Sequence, residues 1–242
     1  MELNILYLCP TLMSLYGEYA NLALLRRRLE NMGVTVNIIA DELDSAPDFA
    51  AFDLIYMGAG TECSREAARG KLMPYAEAFR ETAKSGAVIL FTGSAMPLLG
   101  KTLIDLDGTT HECLAVAEFE TEEYFKRIGV DVVAVSTLWE EKTVGFMNKS
   151  SDTRGITTPL FSRLALGYGN ESEGGAEGYA CGNVFATHIT GPVLVKNPAF
   201  TDLIISRLYG RKGWEKPAAF PRLPHEQEAY EVTARELQAR IK

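Results

Sequence analysis

Short apolar runs alternate with helical patterns along the first hundred residues, and each run is cut off by glycine or proline. LNILYL (3–8) is stopped by Pro10, FDLIYMGAG (52–60) ends in glycines, and AVILFTG (87–93) ends at Gly93. Between them Leu22, Leu25 and Leu29 fall at helical spacing with Gly33 as a stop, and VTVNII (34–39) reads as a further strand. Residues 65–84 read as a helix in which Pro74 should start or kink a turn. Strands this apolar are buried on both faces, which requires a mostly parallel sheet with helices on both sides. Ligands of such sheets sit at the carboxyl ends of the strands, so Gly58–Gly60 and Gly93 mark where a site belongs.

The second half has a different texture. LAVAEFETEEYF (114–125), DVVAVSTLW (131–139) and TVGFMN (143–148) are strand-like and joined by short polar turns, which predicts an antiparallel portion. GYGNESEGGAEGYACGNVFAT (167–187) is a glycine-rich loop leading into the strand GNVFATHIT, and a helix near Asn197-Pro198 carries FTDLIISRLYG with Gly210 as its stop. RKGWEKPAAFPRLP (211–224) is an extended linker. The last stretch places Ala229, Val232, Leu237 and Ile241 on one stripe of a terminal helix, which we expect docked on its own domain.

Composition excludes several roles. The chain of 242 residues has a formal net charge of −8 and concentrates Lys and Arg nowhere, which argues against nucleic acid and anionic membrane as partners. The one basic cluster, Arg26-Arg27-Arg28, reads as a solvated helix face. No apolar run reaches the ~20 residues of a membrane span, and MELNILYLCP lacks a basic leader segment. Cys9, Cys63, Cys113 and Cys181 are scattered, as are His111, His188 and His225, so free thiols in the cytoplasm are expected, with no metal and no cofactor.

The stretch VILFTGSAMPLLG (88–100) is a buried strand turning sharply into a helix, the place where many hydrolases mount a nucleophile. Its apex, Gly93, has no side chain. Gly93, Ser94 and Ala95 are small enough for a strained turn, and the N–H groups of the following helix favour negative charge. With the backbone of Gly58, Ala59, Gly60 and Thr61 opposite, these residues describe a crevice for a small molecule or an anion. They supply no nucleophile.

Six stretches in order carry a family resemblance: LYGEYAN (15–21), FDLIYMGAGTE (52–62), VILFTGSAMPLLG (88–100), VGFMNKS (144–150), LGYGNESEGGAEG (166–178) and THITGPVLVKNP (187–198). The chain resembles the class I glutamine amidotransferases of the cobyric acid synthase type, and among them the glutaminase subunits of lipid II isoglutaminyl synthase. The resemblance implies a flavodoxin-like α/β fold over residues 1–210, with 211–242 as a linker and terminal amphipathic helix. It also implies a Mur-ligase-like or other ATP-dependent synthetase subunit as partner.

The departures fall on the chemistry. Anchored on Leu98-Leu99-Gly100, the family's nucleophilic cysteine falls at Gly93, and its general-base histidine falls at Thr190. Its Phe-Glu-Asn-His-Ser appears as Phe146-Met147-Asn148-Lys149-Ser150, and Met96, Met147 and Lys149 are candidates to fill or recharge the crevice. Hydrolysis of a glutamine amide by this route needs a thiolate and an imidazole. The expectation is therefore a non-hydrolysing pseudo-glutaminase with a binding or regulatory role. Two alternatives stay open. One is a hydrolase or transferase of this fold with chemistry moved to Cys63, Ser94 and His188; His188 lies two residues before Thr190 and, on a strand, about 6–7 Å from it on the same face. The other is an active glutaminase supplying ammonia to a ligase, which requires a different alignment at Gly93.

Overall fold

The computed structural model describes residues 1–241 and contains two sheets. The first is built from β1 (Glu2–Leu8), β2 (Thr35–Asp41), β3 (Leu54–Met57) and β4 (Val88–Thr92), joined later by β10 (Tyr179–Cys181) and β11 (Val184–Thr187). Its order is β10-β11-β4-β3-β1-β2, parallel except for β10. This is the doubly wound order of a flavodoxin-like sheet, whose direction of winding reverses between β1 and β3. The loops leaving β1, β3 and β4 therefore converge on one crevice.

Alternation along each strand builds two cores. Leu3, Ile5 and Tyr7 of β1 and Val88 and Leu90 of β4 face one side, with α1 (Tyr19–Asn31) and α5 (Pro198–Lys212). Leu6, Leu8, Ile89 and Phe91 face the other, with α2 (Glu62–Leu72) and α3 (Ala76–Lys84). Helices lie on both faces, and an antiparallel portion is added by the second half. The second sheet runs β12-β8-β7-β5-β6, from β5 (Thr102–Ile104), β6 (Thr110–Glu112), β7 (Glu120–Ser136), β8 (Thr143–Arg154) and β12 (Ile189–Thr190), with β9 (Phe161–Leu166) on β7. The short α4 (Val193–Lys196) and the terminal α6 (Glu226–Gln238) complete the chain.

Several local readings are corrected. The helix read over 65–84 starts earlier, at Glu62, and is divided into α2 and α3 by the 3₁₀ turn Met73–Tyr75, with the turn falling at Pro74 as expected. The stretches at 114–125 and 131–139 meet in a single strand, β7, that begins only at Glu120 and is interrupted by a register shift between Glu123 and Ile128. Helix α5 passes through Gly210 and stops at Gly213, which takes the left-handed conformation (φ 66°) that glycine tolerates best.

Arg28 is not part of a solvated face. It is fully buried and paired with Asp202 and, at 3.2 Å, with Glu226, so the terminal segment is tied to α1 by a buried cation. That anchor sets the phase of α6. Glu226 faces inward toward Arg28, and Tyr230, Ala234 and Leu237 face inward on Val133 and Val144, whereas Ala229 and Val232 face solvent. No described helix is long and apolar enough to cross a membrane.

A candidate binding cleft at the Gly93 turn

Strand β4 ends at Thr92, and Gly93 takes φ +59°, the left-handed region that a turn this sharp requires. The chain continues as a 3₁₀ segment, Gly93–Leu99, with Pro97 inside it, not as the α-helix the apolar pattern suggests. Its aligned N–H groups are too few for a strong dipole. The turn is packed from above. A Cβ built on Gly93 would lie 2.6 Å from the Ala59 Cβ and 3.4 Å from both Cβ and Oγ1 of Thr190.

Ser94 holds the two loops together. Its Oγ accepts from the Gly60 N–H at 2.8 Å and donates to the Gly60 carbonyl at 2.8 Å. Its proton and a lone pair are thereby engaged by backbone, and the Gly60 N–H, one of the backbone groups expected to face an anion, is engaged by Ser94. Thr61 caps α2 by accepting from the Ser64 N–H at 3.1 Å.

A cleft of about 290 Å³ opens over these loops. Ala59, Gly60, Thr61, Gly93, Ser94 and Thr190 form its floor and wall. Gly58 and Ala95 do not line it: Gly58 packs under Met13 and Glu18, and Ala95 is fully buried. The rim is a polar chain. The Asn148 amide donates to the Tyr16 hydroxyl at 2.7 Å, Arg127 donates to Asn148 Oδ1 at 3.1 Å, and Arg127 also pairs with Glu62. Burial raises the Glu62 pKa, but the hydrogen bond and charge of Arg127 outweigh it and hold the carboxyl below its ordinary range. Arg127 reaches the cleft because it lies in the irregular stretch of β7, where a bulge re-aims side chains. Tyr16 sits at φ +61°, an uncommon backbone conformation for a tyrosine.

Beneath the floor lies a fully buried carboxylate, Glu18. One oxygen accepts from the Thr190 hydroxyl and, at 2.8 Å, from the Gly191 N–H. The other accepts from the Thr92 hydroxyl, from Tyr56 at 2.7 Å and from Asn21 at 3.2 Å. Burial and the Glu18 charge push the Tyr56 phenol well above its ordinary pKa, so it stays a donor. Thr190 thus donates its proton to a carboxylate. Neither Gly93 nor Thr190 brings a nucleophile or a base to the cleft.

The three fallback residues are not brought together. Cys63 is exposed and opens on the neighbouring depression, with Glu66, His111 and Glu123. His188 is buried, with its Nδ1 3.1 Å from Glu177 Oε1 and its backbone N–H donating to the same oxygen at 2.7 Å. Burial, reinforced by the charge of Lys149, lowers the His188 pKa against the opposing pull of Glu177. The two-residue strand period fails here for a topological reason: β11 pairs with β4 and β12 with β8, so the chain changes sheets at His188. Met96 and Met147 are fully buried, and Lys149 donates to the carbonyls of Gly169 (2.6 Å) and Asn170 (3.1 Å), so none of the three fills or recharges the cleft. Among the described residues no group of three or more His, Cys, Asp or Glu is placed to hold a metal ion.

Comparison with known proteins agrees with this architecture. The model of the CobB/CobQ-like glutamine amidotransferase domain matches residues 4–198. The chain is 29% identical over 212 residues to the lipid II isoglutaminyl synthase (glutamine-hydrolyzing) subunit GatD of Staphylococcus aureus, covering 88% of this chain and 86% of that protein. It is 26% identical over 199 residues to the subunit of the same name from Streptococcus pneumoniae, covering 81% and 76%. A glutamine amidotransferase of Thermotoga maritima superposes with a TM-score of 0.52 at 10% identity, covering 98% of this chain and 92% of that one. A second solved glutamine amidotransferase gives a TM-score of 0.56 at 12% identity, covering 84% and 98%. At these identities the structural likeness is one of fold.

Proposed function

This chain belongs to the CobB/CobQ-like glutamine amidotransferase family, and from that membership we propose that it is a pseudo-glutaminase, a subunit that binds a small ligand in the Gly93 cleft without hydrolysing it. The observation that carries this reading is the closure of the turn. The position where the resemblance puts a nucleophile holds a residue without a side chain, and Ala59 occupies the space a side chain would need.

Amide hydrolysis by a cysteine nucleophile needs a thiolate to attack and an imidazole to move the proton to the leaving nitrogen. Losing either member of such a pair costs several orders of magnitude in rate. Here both positions are changed, and the Thr190 hydroxyl is committed to Glu18. What remains is recognition. Arg127 offers a forked donor and Glu62 an ionised acceptor at one rim, a pairing suited to the carboxylate and ammonium of a free amino acid. A ligand of that class would exchange the Arg127–Glu62 pair for its own two charges.

The role that fits is a binding or regulatory subunit of a Mur-ligase-like or other ATP-dependent synthetase. Similarity to subunits of an isoglutaminyl synthase supports it. The test is a calorimetric titration of the full chain with L-glutamine and L-glutamate, alone and mixed with a Mur-ligase-like synthetase from the same cell. Saturable binding by the wild type, weakened at least about tenfold in Arg127→Gln (~1.4 kcal/mol), is the expected result. Absence of binding in both settings, or binding indifferent to Arg127→Gln, contradicts the reading.

A further inference from the structure

At the opposite end of the first sheet a second pocket of about 370 Å³ lies between α5, the loop entering β4 and the turn joining β10 to β11. Gly86 and Asn183 form one wall, and Ser206, Arg207, Arg211 and Lys216 the other. Among the described residues no carboxylate lines it, although the chain carries a net charge of −8. It faces the amino ends of β4 and β11, whereas the Gly93 cleft lies at their carboxyl ends, so the two sites share no residue.

The three cations are not equivalent. Arg211 is engaged: it donates to the Phe52 carbonyl at 3.2 Å and the Ser85 carbonyl at 3.4 Å, and its Nε is 3.5 Å from Asp53. Arg207 has no hydrogen-bond or ion-pair partner among the described residues, and its Nε is buried. Its guanidinium is held 5.9 Å above the Phe185 ring, so it is positioned by packing and not by an anion. Lys216 is likewise without an acidic partner among the described residues. Its Nζ folds back to 3.8 Å from where a Cβ on Gly210 would stand. Two of the three cations that line the pocket therefore carry charge that no carboxylate among the described residues neutralises.

We infer that this pocket binds a phosphate-bearing small molecule, with the Arg207 fork and the Lys216 ammonium on the phosphate and the Ser206 hydroxyl beside it. A guanidinium fork matches phosphate oxygens two at a time, and an ammonium adds a point charge. The volume falls in the range of small-ligand pockets, about 300–1,000 Å³, and exceeds what one phosphate ion fills. The class is therefore a phosphorylated metabolite or nucleotide. This inference is independent of the reading of the Gly93 cleft.

The experiment is titration calorimetry of the full chain at constant ionic strength with pyrophosphate and with adenosine diphosphate, using adenosine as the phosphate-free control. Saturable binding of at least one phosphate probe is expected. It should weaken about tenfold or more in Arg207→Gln and in Lys216→Gln, be partly retained in Arg207→Lys, and stay unchanged in the cleft variant Arg127→Gln. Lys216 is exposed, so its variant keeps the test valid if Arg207→Gln perturbs α5. No saturable binding of either probe, adenosine binding as well as its diphosphate, or loss of binding in Arg127→Gln would each overturn the assignment.

Discussion

The Cβ of Ala59 lies 2.6 Å from the place a Cβ on Gly93 would take, so a methyl group on one loop and its absence on the other fit together. A side chain at 93 meets two penalties. The left-handed backbone at φ +59° costs a non-glycine residue about 1–2 kcal/mol, and crowding Ala59 adds about 1–3 kcal/mol. Gly93→Cys should therefore lower stability by about 2 kcal/mol or more in urea unfolding, by those two penalties combined. Ala59→Gly should restore part of it in the double variant. A single Gly93→Cys variant as stable as wild type would show that the turn has room after all.

Glu18 and Thr190 bind the floor of the cleft to the core. Glu18 accepts from five donors, and Thr190 supplies one of them. Glu18→Gln puts an amide N–H₂ against groups that donate, leaving buried donors unsatisfied at about 1–3 kcal/mol each. Thr190→Val removes one donor to the carboxylate and should cost about 1.5–3 kcal/mol, less than the loss in Glu18→Gln, which leaves more than one donor unsatisfied. Equal losses for the two variants would mean that Glu18 is not the hub described.

Arg28 anchors the terminal helix. Arg28→Met leaves the buried Glu226 without its cation, while Asp202 keeps Arg222, and should cost about 3 kcal/mol. Faster amide exchange across Glu226–Gln238 should accompany it. Arg27→Met, one position away and exposed, should change stability by less than about 0.5 kcal/mol.

The burial of Lys149 should make stability depend on pH. Burial lowers its pKa from 10.5 to about 8, opposed by the charges of Glu177, Asp152 and Glu171. Between these values the unfolded chain holds a proton that the folded chain has released, so this residue makes folding more favourable as pH rises from about 8 toward 10.5. The gain should appear in unfolding midpoints from about pH 8 toward 10.5 as a difference between wild type and Lys149→Met. A difference that stays flat across that range would place the titration elsewhere.

The first sheet was legible because β1, β3 and β4 are apolar on both faces and end in glycine or proline, signals that depend on few residues close in sequence. The floor of the cleft came from the same glycines. The rim did not. Glu62, Asn148 and Tyr16 stand inside quoted motifs, but nothing local says that their side chains converge, and Arg127 depends on a bulge in a strand that sequence patterning split in two. Glu18 looks like an ordinary acid before a helix, and only the surrounding hydroxyls make it a buried hub. His188 was misplaced because strand periodicity assumes one sheet. Arg28 was misread because its partners, Asp202 and Glu226, lie far along the chain.

The central claim is that the cleft binds and does not hydrolyse. Its most direct measurement is ammonia release from L-glutamine by the purified chain, alone and with a Mur-ligase-like synthetase. It is run beside an Ala59→Gly, Gly93→Cys, Thr190→His triple variant that reopens the turn and supplies a thiol and an imidazole. The expected result is no glutamine-dependent ammonia from the wild type in either setting, with detectable release from the triple variant. Turnover by the wild type would contradict the claim and direct attention to Ser94, Cys63 and His188.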